Sequence, residues 1–124
     1  MSRAGAHILL VDDHPKALEI FDLRLKSLGY RTTIANNGEV AIGIVERDRP
    51  ALVVLDVTMP EMNGYQACRA IKRIDPKISV IILTAKTEAA DRFWANQSGA
   101  DEFLNKPIDP ALLVQRIESL LSVP

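Results

Sequence analysis

The chain has 124 residues, 48% of them apolar and 25% charged, with a formal net charge of −1. That is one domain with room for a real core, and its balanced charge gives no electrostatic grip on nucleic acid or a membrane surface. A single cysteine excludes an internal disulfide, and no Cys/His cluster has zinc spacing. The first thirty residues mix acids and bases without a signal-peptide core. No apolar run is long enough to span a bilayer, so a cytoplasmic protein is expected.

In chain order, Ile8-Leu9-Leu10-Val11 predicts a strand over 7–11 that runs into Asp12-Asp13. A helix follows from Pro15 to Leu28; Pro15 suits its first position and Gly29 the residue past its end. A strand over 31–35 precedes the Asn36-Asn37-Gly38 turn, which opens a second helix to Arg47, with Pro50 enforcing the stop. The run Leu52-Val53-Val54-Leu55 predicts a strand over 51–55, ending at Asp56. A loop from Val57 to Asn63 leads to a helix over Gly64 to Ile74, stopped by Asp75-Pro76. Then come a strand over 78–83 ending at Thr84, a helix over 88–97, a short strand over 102–104 leading to Lys106-Pro107, and a helix over 110–122.

Five strands alternating with five helices predict an α/β, flavodoxin-like, doubly wound parallel sheet of order 2-1-3-4-5. Residues 1–124 read as one domain, either complete or the amino-terminal part of a longer regulator. In such sheets ligands bind outside the carboxyl ends of the strands, at the switch point between strands 1 and 3. Asp12, Asp13 and Asp56 stand there, with Thr84 and Lys106 at the neighbouring strand ends. Three carboxylates in one crevice repel one another and call for a cation. Hard oxygen donors suit Mg²⁺. Metal, ammonium and hydroxyl together match the charge-stabilising scheme of phosphoryl transfer, with a carboxylate as nucleophile. Asp56 is the best candidate, since Asp12 and Asp13 are paired for metal.

The chain resembles the receiver domain of bacterial two-component response regulators, in particular the chemotaxis-regulator type, over essentially its whole length. The residues that carry the likeness are Val11-Asp12-Asp13-His14-Pro15, Leu55-Asp56-Val57-Thr58-Met59-Pro60 with Asn63-Gly64, Leu83-Thr84-Ala85, Gly99-Ala100-Asp101 and Lys106-Pro107. The resemblance implies that Asp56 accepts phosphate from a sensor histidine kinase or a phosphotransfer protein. It implies Mg²⁺ bound by Asp13 directly, by Asp12 through water, by Asp56 and by the Thr58 carbonyl. Lys106 would pair with Asp56 at rest and with the phosphoryl group afterwards, and its bond to Pro107 would be cis. Thr84 and Phe103 would switch the face formed by the fourth helix, fifth strand and fifth helix. That face would contact a downstream protein or a linked output domain, with no direct nucleic-acid or membrane binding by this domain. Trp94, Asp101 and Arg116 fall on the implied partner surface. Asn96 stands where dimerising relatives carry an aliphatic residue, which argues against pairing through that face. Lys86 and Thr58 flank the phosphate position and imply a phosphoryl lifetime of minutes or longer.

Other readings compete. Asp-Asp before a proline-started helix is also a helix-start signature. Cys68 and Phe93 read as core, His7 as a satisfied polar group, and His14 as surface or the rim of the metal site. An aspartyl-phosphate phosphohydrolase on a related sheet is the enzymatic rival, but Thr58 stands where such enzymes use a second acid. A purely structural module would not need Asp12, Asp13, Asp56, Thr84 and Lys106 together.

Overall fold

Unbroken apolar runs make sense as strands covered on both faces, and the computed structural model, which describes residues 5–57, 62–84 and 97–122, has that arrangement. Its elements are β1 (His7–Val11), a 3₁₀ turn (Pro15–Leu18), α1 (Glu19–Ser27), β2 (Arg31–Ala35), α2 (Gly38–Asp48) and β3 (Leu52–Asp56). Then follow α3 (Gly64–Ile74), β4 (Ser79–Thr84), β5 (Glu102–Asn105) and α4 (Pro110–Ser122). The sheet order is β2-β1-β3-β4-β5 and every pairing is parallel. The helix expected over 88–97 falls almost wholly outside the described residues; Gln97 and Ser98 are helical and lead into a turn at Gly99.

Side chains alternate across a strand, so each strand serves two cores. Leu9, Val11, Val53, Leu55, Val80 and Ile82 face α2 and α3, where they pack with Ile44, Val45, Cys68 and Ile71. Ile8, Leu10, Leu52, Val54, Ile81 and Leu83 pack on the other face with Phe21, Leu25, Leu113 and Ile117 of α1 and α4. Fully burying a Leu, Ile or Val is worth about 1.5–3 kcal/mol, so the central strands carry most of the stability. β2, on the edge, is accordingly more polar, with Arg31, Thr32 and Thr33.

The helices start where short polar side chains offer an acceptor. Asn37 accepts from the Val40 amide at 2.8 Å. Asn63 and Gln66 form a reciprocal capping box, with both bonds 3.0 Å. Asp109 accepts from the Ala111 amide at 2.9 Å ahead of Pro110. The first helix departs from expectation. Its opening turn is 3₁₀, and His14 at its start makes no side-chain cap. The nearby acids are committed elsewhere, as the site geometry makes plain.

Candidate functional site

Register brings the functional residues together. Val11 pairs with Leu55, Asp56 with Leu83, and Thr84 with Asn105. The ladder continues one step further, with the Asp12 amide on Ala35 O (3.1 Å), Val57 on Leu83 O (3.0 Å) and Lys106 on Thr84 O (2.7 Å). Asp12, Asp56, Thr84 and Lys106 therefore sit at one edge, on strands about 4.8 Å apart. Asp12, Asp56 and Thr84 are buried. Asp13 is half-buried and His14 exposed.

Lys106 is the hub. Its Nζ lies 2.6 Å from Asp56 Oδ1 and 3.6 Å from Asp12 Oδ2. Burial pulls its ammonium pKa down, but the hydrogen bond and charge of Asp56, with help from Asp12, outweigh this and hold it above the ordinary value. Asp12 Oδ1 accepts from the His14 amide at 2.9 Å. Burial pushes the Asp12 carboxyl up, and the negative charge of Asp56 adds to the rise; the His14 amide and Lys106 only partly offset it. Asp13 Oδ1 meets His14 Nδ1 at 2.9 Å. Both acids thus turn toward His14, and no side chain caps the following turn.

Three carboxylates face one ammonium, so the crevice is short of positive charge. Asp12, Asp13 and His14 offer ligand atoms that all lie within 4.8 Å of one another. Carboxylate oxygens suit a hard divalent cation such as Mg²⁺, and the imidazole Nδ1 already meets Asp13 Oδ1. The donor set fits that ion. Thr58 lies outside the described residues, so its carbonyl is not placed.

Gly64 fixes the loop beyond Asp56. Its amide bonds Val57 O at 3.0 Å. A Cβ there would lie 2.5 Å from Asp56 O and 3.0 Å from Val57 Cα, so only glycine lets α3 start this close to the backbone beneath the site. The Lys106–Pro107 peptide bond is cis. An apolar cavity of about 410 Å³ opens beside Asp12 and Lys106, between Ala17, Leu18 and Phe21 on one side and Pro107 and Ile108 on the other. Neither the glycine contact nor the cavity is visible in residue patterning.

The remaining sequence-derived residues are spread around this centre. Phe103 is half-buried against the α2–α3 core. Arg116 is exposed on α4. Asp101, read from the sequence as a partner-surface charge, spends Oδ2 within the chain, on Lys72 Nζ at 2.7 Å and the Val80 amide at 2.8 Å. Lys72 also donates to Ile78 O at 2.6 Å. The trio bolts α3 to β4 and to the entry of β5, a role the Gly99-Ala100-Asp101 motif alone did not suggest. Trp94, Phe93, Asn96 and Lys86 lie outside the described residues. Cys68 is fully buried, and burial pushes its thiol up to about 11, as suits core filler. His7 Nε2 is 2.7 Å from Thr33 Oγ1.

The family model for the response regulator receiver domain matches residues 8–118. The chain is 40% identical over 121 residues to the transcriptional regulatory protein GlrR of Escherichia coli K12, covering 98% of this chain and 27% of that protein. It is 39% identical over 121 residues to the DNA-binding response regulator MtrA of Mycolicibacterium smegmatis, covering 98% of this chain and 53% of that protein. Among solved structures it is similar to the receiver domain of sensor histidine kinase PA1611 from Pseudomonas aeruginosa PAO1, which has a magnesium ion coordinated in its active-site cleft. There the TM-score is 0.87 at 33% identity, covering 97% of this chain and all of that one. The chain spans from about a quarter to about half the length of these two curated relatives. No described helix is long and apolar enough to cross a membrane.

Proposed function

Since the chain belongs to the receiver-domain family of two-component response regulators, we propose that Asp56 is its phosphoacceptor and that the domain works as a signalling switch. The observation that carries this is the buried Asp56 carboxylate, held through Oδ1 by Lys106 at 2.6 Å with Asp12 and Asp13 alongside. Lys106 fixes one oxygen and leaves Oδ2 to attack phosphorus. The donor is a phosphohistidine on a sensor kinase or phosphotransfer protein. As the Oδ2–P bond forms, the P–N bond breaks; the imidazole leaves with a proton, and an acyl phosphate remains on Asp56.

Asp12, Asp13, Asp56 and the Thr58 carbonyl would hold Mg²⁺, which when bound supplies positive charge against the phosphoryl oxygens. The Lys106 ammonium releases Asp56 Oδ1 and follows the charge onto the phosphoryl group. Burial of Thr84 at the end of β4 supports its role as the hydroxyl that reports the phosphate. Phe103, half-buried on the adjacent β5, is the side chain that responds. Lacking a phenolic hydroxyl, it would take an inward position without donating a side-chain hydrogen bond there. The outputs are a downstream protein or a linked domain, read through the surface that includes Arg116, Trp94 and the second oxygen of Asp101. The apolar cavity beside Lys106 gives the phosphodonor a place to seat a side chain next to its histidine. The phosphohydrolase alternative is not favoured by the family match.

Incubation with acetyl phosphate and Mg²⁺ tests the reading. Wild type is expected to label and Asp56→Asn to remain unlabelled; equal labelling of both would refute the assignment. The same experiment, chased with chelator, is expected to give a half-life of minutes or longer, and decay within seconds would overturn that expectation.

A further inference from the structure

Asp13 differs from the other two acids of the crevice in what answers its charge. Lys106 reaches Asp56 and Asp12, whereas the basic group that meets Asp13, among the described residues, is the imidazole of His14. His14 Nδ1 lies 2.9 Å from Asp13 Oδ1 and 4.0 Å from Asp12 Oδ1. The ring hangs on backbone that is itself held, since the His14 amide donates to Asp12 Oδ1 at 2.9 Å. Its side chain is 81% exposed, so the ring is free to carry its proton on Nε2.

We propose that His14 Nδ1 is a metal ligand beside Asp13, making this crevice a mixed oxygen–nitrogen site that takes Ni²⁺, Co²⁺ or Zn²⁺ as well as Mg²⁺. Two ligand atoms about 2.1 Å from one ion and at right angles stand about 3.0 Å apart. The Nδ1–Oδ1 separation already has that length, so an ion can bind both atoms without rearranging the chain. Nδ1 then ligates as neutral imidazole, with the proton on Nε2. The two classes of ion use the pair differently. Mg²⁺ keeps its waters and takes oxygen, so it binds the carboxylates and leaves the ring. A borderline transition ion favours imidazole and uses both. Because both classes need Asp13, each excludes the other, and a transition ion lowers the occupancy of the site by Mg²⁺. The other soft donors stand apart: His7 is at the far end of β1, against Thr33, and Cys68 is buried. The proposal rests on the reading that Asp12 and Asp13 hold a divalent cation, and not on Asp56 being the phosphoacceptor.

Calorimetric titration with Ni²⁺ and with Mg²⁺, at one fixed pH, tests it. Wild type is expected to bind Ni²⁺ more tightly than Mg²⁺, with Mg²⁺ competing for the same site. His14→Gln is expected to lower Ni²⁺ affinity about tenfold or more while changing Mg²⁺ affinity less than about threefold. Asp13→Asn is expected to weaken both, and His7→Gln neither. With Co²⁺, paramagnetically shifted ring-proton resonances are expected from His14, and these should vanish in His14→Gln. Unchanged Ni²⁺ affinity in His14→Gln overturns the proposal, as do shifted resonances that belong to His7. Equal loss of Ni²⁺ and Mg²⁺ in His14→Gln also overturns it, since the ring would then only orient Asp13. A wild type that binds neither ion overturns the cation site itself together with this proposal, whereas Mg²⁺ binding with no effect of His14→Gln on Ni²⁺ overturns this proposal alone.

Discussion

Replacing Asp12 with asparagine is expected to make the Mg²⁺-free protein more stable, although it removes a buried group from the centre of the site. Asp12 Oδ2 and Asp56 Oδ1 both lie near the same ammonium, at 3.6 and 2.6 Å. At separations of about 6 Å or less and an effective dielectric of about 20, two carboxylates repel by roughly 3 kcal/mol. Burial adds to the cost, while the His14 amide and Lys106 return part of it, and the balance leaves the Asp12 carboxyl above its ordinary value. A folded-state pKa above the unfolded one means that the native state binds the extra proton, so stability falls as pH rises through that interval. The penalty is complete above the raised value and absent below the ordinary carboxyl range. Asparagine keeps an oxygen for the His14 amide and carries no charge. Its expected gain is about 1 kcal/mol at neutral pH, vanishing in acid. Mg²⁺ should reverse the ranking: at ten times its dissociation constant it stabilises the wild type by about 1.4 kcal/mol and the variant far less. Urea unfolding followed by far-UV circular dichroism, with chelator and with Mg²⁺, measures both. A variant less stable than wild type in chelator, or one that keeps the full Mg²⁺ gain, would refute the reasoning.

Other consequences follow from the same geometry. Lys106→Ala removes the cation that, among the described residues, alone pairs with Asp56 and shares Asp12, so phosphorylation by acetyl phosphate is expected to slow about 10²-fold. Mg²⁺ should bind that variant more tightly, as calorimetry can determine; weaker binding would count against the charge argument. Gly64→Ala drives a methyl into the backbone of Asp56 and Val57 and is expected to cost about 1–3 kcal/mol. Gly38→Ala, whose nearest neighbour is the flexible Met62 side chain at 2.9 Å, is expected to cost less than 1 kcal/mol. Equal thermal shifts for the two would contradict this contrast. A beryllofluoride adduct formed with Mg²⁺ is expected to shift amide resonances around Thr84 and Phe103, and unchanged Phe103 signals would remove it from the switch.

Much of the fold follows from patterns confined to single segments. The runs of β1 and β4 are apolar at every core position because both sheet faces are covered, and α3 begins where Asn63 and Gln66 can cap each other. Strand pairing then aligns the carboxyl ends, so the alternating pattern itself groups residues distant in sequence at one edge. What patterning could not supply were contacts that depend on side-chain competition. Pro15 suits an α-helical start, yet the turn is 3₁₀ and no side chain caps it, while Asp12 and Asp13 turn to His14. Asp101 looks like a surface charge until Lys72, twenty-nine positions away, reaches it. The close approach of Gly64 to Asp56 O is a matter of ångströms between backbones, and no residue type announces it. β5 runs to Asn105 because its pairing with Thr84 holds one residue that is not apolar.

The central claim is that one carboxylate, Asp56, takes the phosphoryl group. Its most direct test is chemical mapping of the acyl phosphate. After treatment with acetyl phosphate and Mg²⁺, hydroxylamine converts an acyl phosphate to a hydroxamate, which peptide mass spectrometry locates. The modification is expected on Asp56 alone and to vanish in Asp56→Asn. A hydroxamate on Asp12 or Asp13 in the wild-type protein, or a labelled Asp56→Asn variant, would contradict the account.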